Sequence, residues 1–457
     1  MAGTDLVVVS NRGPLSFALQ GGVAVPVAPP GGLAASLRNV LVGTGAAWVF
    51  AATSEADHVA REAGLVALEG TSLVPVPMDA DLYSMAYDVI ANATLWPLHH
   101  HLFDLARRPV LDHRWRQAWD AYREYNTVLA EAVSGVAARD AAVLVHDYHL
   151  SLMPGILGRS RPDLSVVHFT HTPFADPGVF RVMPEGPSGE LLGSLSAARA
   201  CGFHSERWRA SFEACCRDAG VRPSRTFVSP LAPHEPELAD RVTSEACRKA
   251  GDVLDEVVGG RRMVLRVDRV EPSKNLLRGF WAYEAMLASR PEWRERVTMV
   301  AMAYLSRQNL PEYLAYRSEV EQAAERVNAA WGTTDWSPVL LDLADDPDRS
   351  LAALERYDVL LVNPVRDGLN LVAKEGPLVN RKDGALVLSR EAGAFDELGS
   401  VAIGIDPFDT EGTAEALAAA LEMGPDERAR RARQLRALAG ASKPERWLKD
   451  QIEAARS

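Results

Sequence analysis

The stretch YDVLLVNPVRDGLNLVAKEG (Tyr357–Gly376) sets an apolar run against a dense group of polar residues. Tyr357–Val362 has the length and composition of a buried strand, and Pro364 ends it. Arg366, Asp367 and Gly368 follow, then a helix-like segment whose first turns carry Asn370, Lys374 and Glu375. In an open parallel sheet, the space just past a strand's C-terminal end is where ligands bind. Asp367 before Gly368, with Leu369-Asn370-Leu371 entering the helix, offers backbone N–H groups to an anion. Glu375, four residues beyond Leu371, shares its helical face and has the chemistry to grip ribose hydroxyls. An N-capped helix with charged flanks would look the same.

The same pattern recurs along the chain. Short β-rich runs at 6–10, 141–147, 165–171, 263–268, 297–303, 357–363 and 384–390 alternate with longer Ala/Leu/Arg/Glu-rich segments of helical period. That alternation predicts βαβ units and an α/β fold with parallel sheets. Most of these strands end in polar residues: Ser10-Asn11-Arg12, His146-Asp147, His171, Asp268-Arg269, Arg307 and Asp367. The proline-rich segment SPLAPHEPELAD (229–240) reads as a hinge between two doubly wound halves, 1–230 and 231–440. The tail breaks at Gly440 and Pro444, and its last helix, within 441–457 and bearing Trp447, is read as crossing back to the first half.

Bulk properties exclude several classes. The 457 residues suffice for two domains with separate cores. A net charge of −12 argues against a general nucleic-acid or anionic-membrane surface and leaves room for local basic sites. The four cysteines, Cys201, Cys215, Cys216 and Cys247, show neither disulfide nor zinc spacing, so reduced thiols in a cytoplasmic protein are expected. No basic n-region precedes Leu6–Val9, and no apolar run reaches membrane-spanning length.

Candidate chemistry sits at the strand ends. Arg269 and Lys274 in RVDRVEPSKN place two cations in one loop, suited to a departing diphosphate, though a solvated basic loop has the same spacing. Gly31-Gly32 before a helix would let phosphate approach the backbone, or would form a tight turn. Neither a Walker motif nor GxGxxG occurs. Arg12 and Arg307 each follow a strand, where an arginine is more often structural or at the surface than ligand-binding. Tyr87 and Trp96 could stack on a sugar and cap its phosphate, or pair in a core. His99–His101 cannot all face one ion from a helix, so no metal is expected there. Asp147 and His171 have the chemistry to bond sugar hydroxyls. No GxSxG marks a hydrolase.

Taken together, VVVSNRGP, GGL, Y…LWPL, HDYHL, HTPF, GFHS, RVDRVEPSKN, RDGLNLVAKE and LSREAGA occur in an order that resembles the trehalose-6-phosphate synthase family of retaining glycosyltransferases, nearly end to end. The resemblance implies the GT-B fold, two Rossmann-like domains facing a central cleft. It implies transfer of glucose from a nucleoside diphosphoglucose, UDP-glucose or GDP-glucose, to glucose 6-phosphate. It implies an acceptor site of Arg12, Trp48, Tyr87, Trp96, Asp147 and Arg307, in which Arg12, Tyr87 and Arg307 hold the phosphate. It implies a donor site of Gly32, Arg269, Lys274, the Asn370–Leu371 backbone and Glu375, with His171 and Asp367 on the donor's glucose. No cofactor or metal is implied, and the partners are small-molecule substrates, with a homo-oligomer compatible. This sequence departs from the family in reading SPLAPH at the domain junction, in placing Trp48 within WVFAAT, and in Gly376-Pro377, which would kink or end the helix early. Two other readings remain open. One is a pseudo-glycosyltransferase coupling a nucleotide-activated cyclitol to an aminocyclitol phosphate. The other, a non-catalytic sugar-phosphate sensor, fits less well because Arg269, Lys274, Asp367 and Glu375 are all present.

Overall fold

The computed structural model describes residues 3–27, 33–66, 68–306 and 310–457. The chain divides into two compact units, Met1–Pro230 with Pro444–Ser457, and Leu231–Lys443. The first unit contains β1 (Thr4–Ser10), the hairpin strands β2 (Ser16–Gln20) and β3 (Val23–Val27), β4 (Ala47–Ala52), β5 (Ser72–Pro77), β6 (Ala137–His146), β7 (Ser165–Thr170), β8 (Ala200–Phe203) and β9 (Arg225–Val228). The second contains β10 (Arg262–Arg269), β11 (Val297–Tyr304), β12 (Val339–Asp342), β13 (Val359–Val362), β14 (Ala385–Ser389) and β15 (Ile403–Ile405).

Each unit has one large parallel sheet. The first runs β5-β4-β1-β6-β7-β8-β9 and the second β12-β11-β10-β13-β14-β15. Counted within its own sheet, the second follows the doubly wound order 3-2-1-4-5-6 and the first the same order with a seventh strand added, so the order reverses between β1 and β6, and again between β10 and β13. Ligand crevices form at those reversal points, outside the strand C-termini. β10 and β13 are in register only at Val264–Val359 and Leu265–Leu360, so β10 continues without β13 beside it toward Arg269.

Burial explains which strands were legible. Val7–Val9 and Val359–Leu361 are fully enclosed, as expected for parallel strands covered on both faces. The core of the second unit gathers Phe280, Tyr283, Met286 and Leu287 of the helix Leu276–Ser289 against Val264, Met299, Val359 and Val387. In the first unit the helix Pro444–Arg456 packs along β6 and β7, with Trp447 edge-on to Phe169. The strands β4, β5, β8, β9, β12 and β15 and the hairpin add to those read from sequence. The helix expected to fail at Gly376-Pro377 runs through Pro377 to Val379. The four cysteines are buried free thiols. Among the described residues no helix is long and apolar enough to cross a membrane.

Candidate active site

Polar residues at the first reversal point come from the ends of β1 and β6. Arg12, two residues past β1, donates from Nη2 to the Tyr87 hydroxyl at 3.3 Å. Tyr87 lies between two rings, stacked on Tyr83 at 5.0 Å and on His149 at 5.5 Å. The same turn is pinned through Asn11, which accepts a 2.6 Å hydrogen bond from the Tyr125 hydroxyl and donates to Tyr83 Oη at 3.2 Å. Burial pushes both Tyr83 and Tyr125 above the usual phenol range, so they stay protonated donors. Tyr87 belongs to a segment, Met85–Leu95, wound as a π-helix, a form that favours functional sites.

Asp147, just past β6, has a positive φ of 74°, a costly conformation outside glycine. It accepts the backbone N–H of His171 at 3.2 Å and lies 3.8 Å from His149. Trp96 is only 4% exposed and stacks on His100 at 4.3 Å. The histidine tract is engaged locally: His99 Nδ1 accepts the Ala175 N–H and His100 Nδ1 lies 2.8 Å from Trp96 O.

Trp48 and His171 are both engaged by neighbouring side chains. Trp48 has no exposed surface; it sits on β4 beside Val8 of β1 and donates its indole N–H to Ser10 Oγ at 2.8 Å. The indole is enclosed in the sheet core and supports the β1 turn through Ser10. His171 has both ring nitrogens engaged, Nε2 with His146 Nδ1 at 3.2 Å and Nδ1 with His204 Nε2 at 3.0 Å. Burial lowers His146 to about 3, His168 to about 4 and His171 well below its ordinary value, so these three rings are neutral. A sugar hydroxyl bonded to His171 would have to replace one of these neighbours. Gly32 and Arg307 lie outside the described residues.

In the second unit, polar residues come together past the ends of the switch-point strands β10 and β13. Lys274 Nζ is 2.5 Å from Asp367 Oδ2, joining the loop after β10 to the loop after β13. Burial works to lower the Lys274 pKa, but the carboxylates of Asp367, Asp268 and Glu271 together outweigh it and hold the ammonium above its ordinary value. Arg269 at the end of β10 leans on Glu271, 3.2 Å away. Glu271 is fully buried and accepts the Ser306 hydroxyl at 2.9 Å. Asn370, at φ 78°, donates to Asp367 Oδ2 at 3.2 Å and accepts the Ala373 N–H at 3.2 Å. It thereby caps the helix Val372–Val379, and Leu371 is the residue before that helix.

The adjacent Lys374 and Glu375 turn to different tasks. Lys374 is fully buried and donates to Leu231 O at 3.0 Å and to the Glu397 carboxylate at 2.9 Å. Its charge is structural. Glu375 is partly buried, and burial together with the charge of Glu237 raises its carboxyl to about 7. The Asp367 loop is clamped to the LSREAGA segment: Gly393 N–H donates to Asp367 O at 3.0 Å, and a Cβ at Gly393 would meet Gly368 O at 2.0 Å.

Sequence reasoning missed Arg266, Glu271, Asn275, Tyr83, Tyr125 and His204. A signal existed for one of them: Arg266 interrupts the apolar interior of its strand. The others are ordinary locally and become notable only through their partners.

Solved structures give the class. An α,α-trehalose-phosphate synthase (UDP-forming) from Burkholderia xenovorans, in complex with glucose-6-phosphate, is similar at a TM-score of 0.86 and 26% identity, over 99% of this chain and 100% of that one. The fold is GT-B, and the chain is a retaining glycosyltransferase. The family model for glycosyltransferase family 20 matches residues 4–457, and the chain belongs to that family. The trehalose-6-phosphate synthase of Mycobacterium sp. (strain JLS) is 32% identical over 481 residues, covering 99% of this chain and 96% of that one. The bifunctional trehalose-6-phosphate synthase/phosphatase of Thermoproteus tenax is 31% identical over 94% of this chain, which spans only 60% of that protein's length.

Proposed function

We propose that the protein is an α,α-trehalose-6-phosphate synthase, transferring glucose with retention from UDP-glucose or GDP-glucose to glucose 6-phosphate. The observation that carries the reading is the pairing of Lys274 with Asp367 beside Arg269, a cation–carboxylate set at a doubly wound switch point. Similarity to synthases over nearly the whole chain supports it.

On this reading the second unit takes the donor. Its diphosphate competes with Asp367 for Lys274 and meets the Arg269 guanidinium, while Asp367 turns to the glucose hydroxyls. Glu375 bonds the ribose, and the N–H groups near Asn370 and Leu371 address the phosphates. The first unit takes the acceptor, with Arg12 and Tyr87 on its phosphate and Asp147 and Trp96 at its sugar. The bond from C1 to the diphosphate oxygen breaks and leaves an oxocarbenium-like glucosyl group. The acceptor's anomeric hydroxyl attacks from the face the diphosphate leaves, and its proton passes to a phosphate oxygen. Fixed charge aimed at the departing diphosphate is then the main catalytic contribution. The reading assigns no cofactor, because both cations on the leaving group are side chains.

A panel of UDP-, GDP- and ADP-glucose with glucose 6-phosphate tests the proposal. The expected product is α,α-1,1-linked trehalose 6-phosphate from at least one donor. No such product from any donor would sink it. Arg12→Ala should raise KM for glucose 6-phosphate by about 10- to 100-fold, the value of a charge-assisted hydrogen bond. Nucleotide affinity should stay unchanged, as measured by calorimetry on the same variant.

A further inference from the structure

We infer that Arg266 is a positioning residue for the diphosphate-binding turn, holding the Lys274 backbone so that its ammonium points at Asp367 and at a nucleoside diphosphate. The inference rests on the reading above that Lys274 takes the donor's diphosphate.

Arg266 sits in the middle of β10 with no exposed surface. A buried guanidinium persists only when its donors are satisfied. Nε and Nη2 donate to Asp268 Oδ2 at 3.1 and 2.8 Å. Nη2 also donates to the Lys274 carbonyl at 2.9 Å, and Nη1 to the Leu276 carbonyl at 3.3 Å. Those two carbonyls flank Asn275, whose φ of 58° reverses the chain. Asn275 is itself tied by its side-chain amide to Asn363 O at 3.0 Å and Pro407 O at 2.8 Å. The turn that aims Lys274 is therefore gripped from the sheet side by one arginine. Helix packing makes room for it: a Cβ on Gly279 would lie 2.1 Å from Arg266 Nη1.

An apolar side chain could fill this volume, and replacing a buried ion pair by apolar residues is often neutral or stabilising. What an apolar side chain cannot do is hold two carbonyls of a left-handed turn, and lysine lacks the planar fork to do so. This separates a positioning role from a packing role. In the pair Arg266→Met/Asp268→Leu, stability should return while donor recognition does not. Gly279→Ala should displace the guanidinium and give the same donor-side defect with the arginine still present.

The experiment compares the full-length wild type with Arg266→Met, Arg266→Met/Asp268→Leu, Gly279→Ala and the control Val320→Ala, a fully buried core residue of the helix Pro311–Trp331. Binding of UDP and GDP is measured by calorimetry, and donor and acceptor kinetics are measured in parallel. The expected result is a Kd for the nucleoside diphosphate raised about tenfold or more in the first three variants. KM for glucose 6-phosphate should stay within about twofold in those variants. Val320→Ala should unfold at a lower temperature and keep wild-type nucleotide affinity. A double variant as stable as the wild type with wild-type affinity would overturn the inference, as would Arg266→Met behaving like Val320→Ala. Wild-type protein that binds neither UDP nor GDP would overturn it too. Wild-type protein that binds nucleotide but transfers no glucose would remove the synthase reading, while lost affinity in the variants would still support the role of Arg266.

Discussion

Arg269→Ala is expected to lower kcat by about 10²- to 10³-fold, the usual cost of removing one preorganised charge from a developing anion. The guanidinium is part-exposed at the end of β10 and held 3.2 Å from Glu271. Breaking the C1–O bond adds negative charge to a diphosphate that already carries two, so a cation already in place stabilises the transition state more than the ground state. The loss should fall on kcat and on donor kcat/KM, with KM for glucose 6-phosphate little changed. Some stability is lost as well, because Glu271 is buried and keeps only part of its partner set. Activity is therefore measured well below the unfolding midpoints of both proteins. Arg269→Lys should recover only part of the rate, since a point charge does not reproduce the fork. An alanine variant with full turnover would remove Arg269 from the mechanism.

Glu375→Gln should separate stability from function in the opposite direction. Burial raises the folded carboxyl to about 7, against an ordinary value of 4.5. A folded pKa above the unfolded one means that stability is fully present below about 4.5 and is lost as pH rises through about 7. The gap corresponds to about 3 kcal/mol. Glutamine carries no charge at any pH, so the variant should unfold several degrees above the wild type at pH 8 and show little difference at pH 4.5. On the proposed reading the ionised carboxylate bonds the donor's ribose. Wild-type donor kcat/KM should then fall as pH drops through about 7, and this limb should vanish in the variant, whose donor affinity is low throughout. Calorimetric unfolding at the two pH values, with a pH profile of donor kinetics, checks both halves. Equal unfolding temperatures at pH 8 would show that the carboxylate carries no such strain.

Much of this molecule was legible because its parallel strands are buried on both faces and so are written as continuous apolar runs. Leu6–Ser10 and Tyr357–Asn363 were recognisable for that reason, and their polar ends pointed to the ligand-binding edge of each sheet. Strands that lack such runs were missed. β5 contains two prolines and β15 is three residues long, whereas β4, AWVFAA, was passed over although it is a continuous buried apolar run. The hairpin β2–β3 did carry a signal in Gly21-Gly22, a two-residue turn with both φ values positive.

The sequence alone determined the alternation of strand and helix, the break within 229–240, and the chemical types placed at each strand end. These are properties of neighbouring residues, set by periodicity and by proline. Tertiary structure decided which atoms meet. It brought Lys274 to Asp367 across 93 residues and engaged both ring nitrogens of His171. It withdrew Trp48 into the core and gave Arg266 a turn to hold. The reason is physical: parallel pairing joins strands far apart in sequence, and burial, which sets both pKa and reach, depends on every element packed around a side chain.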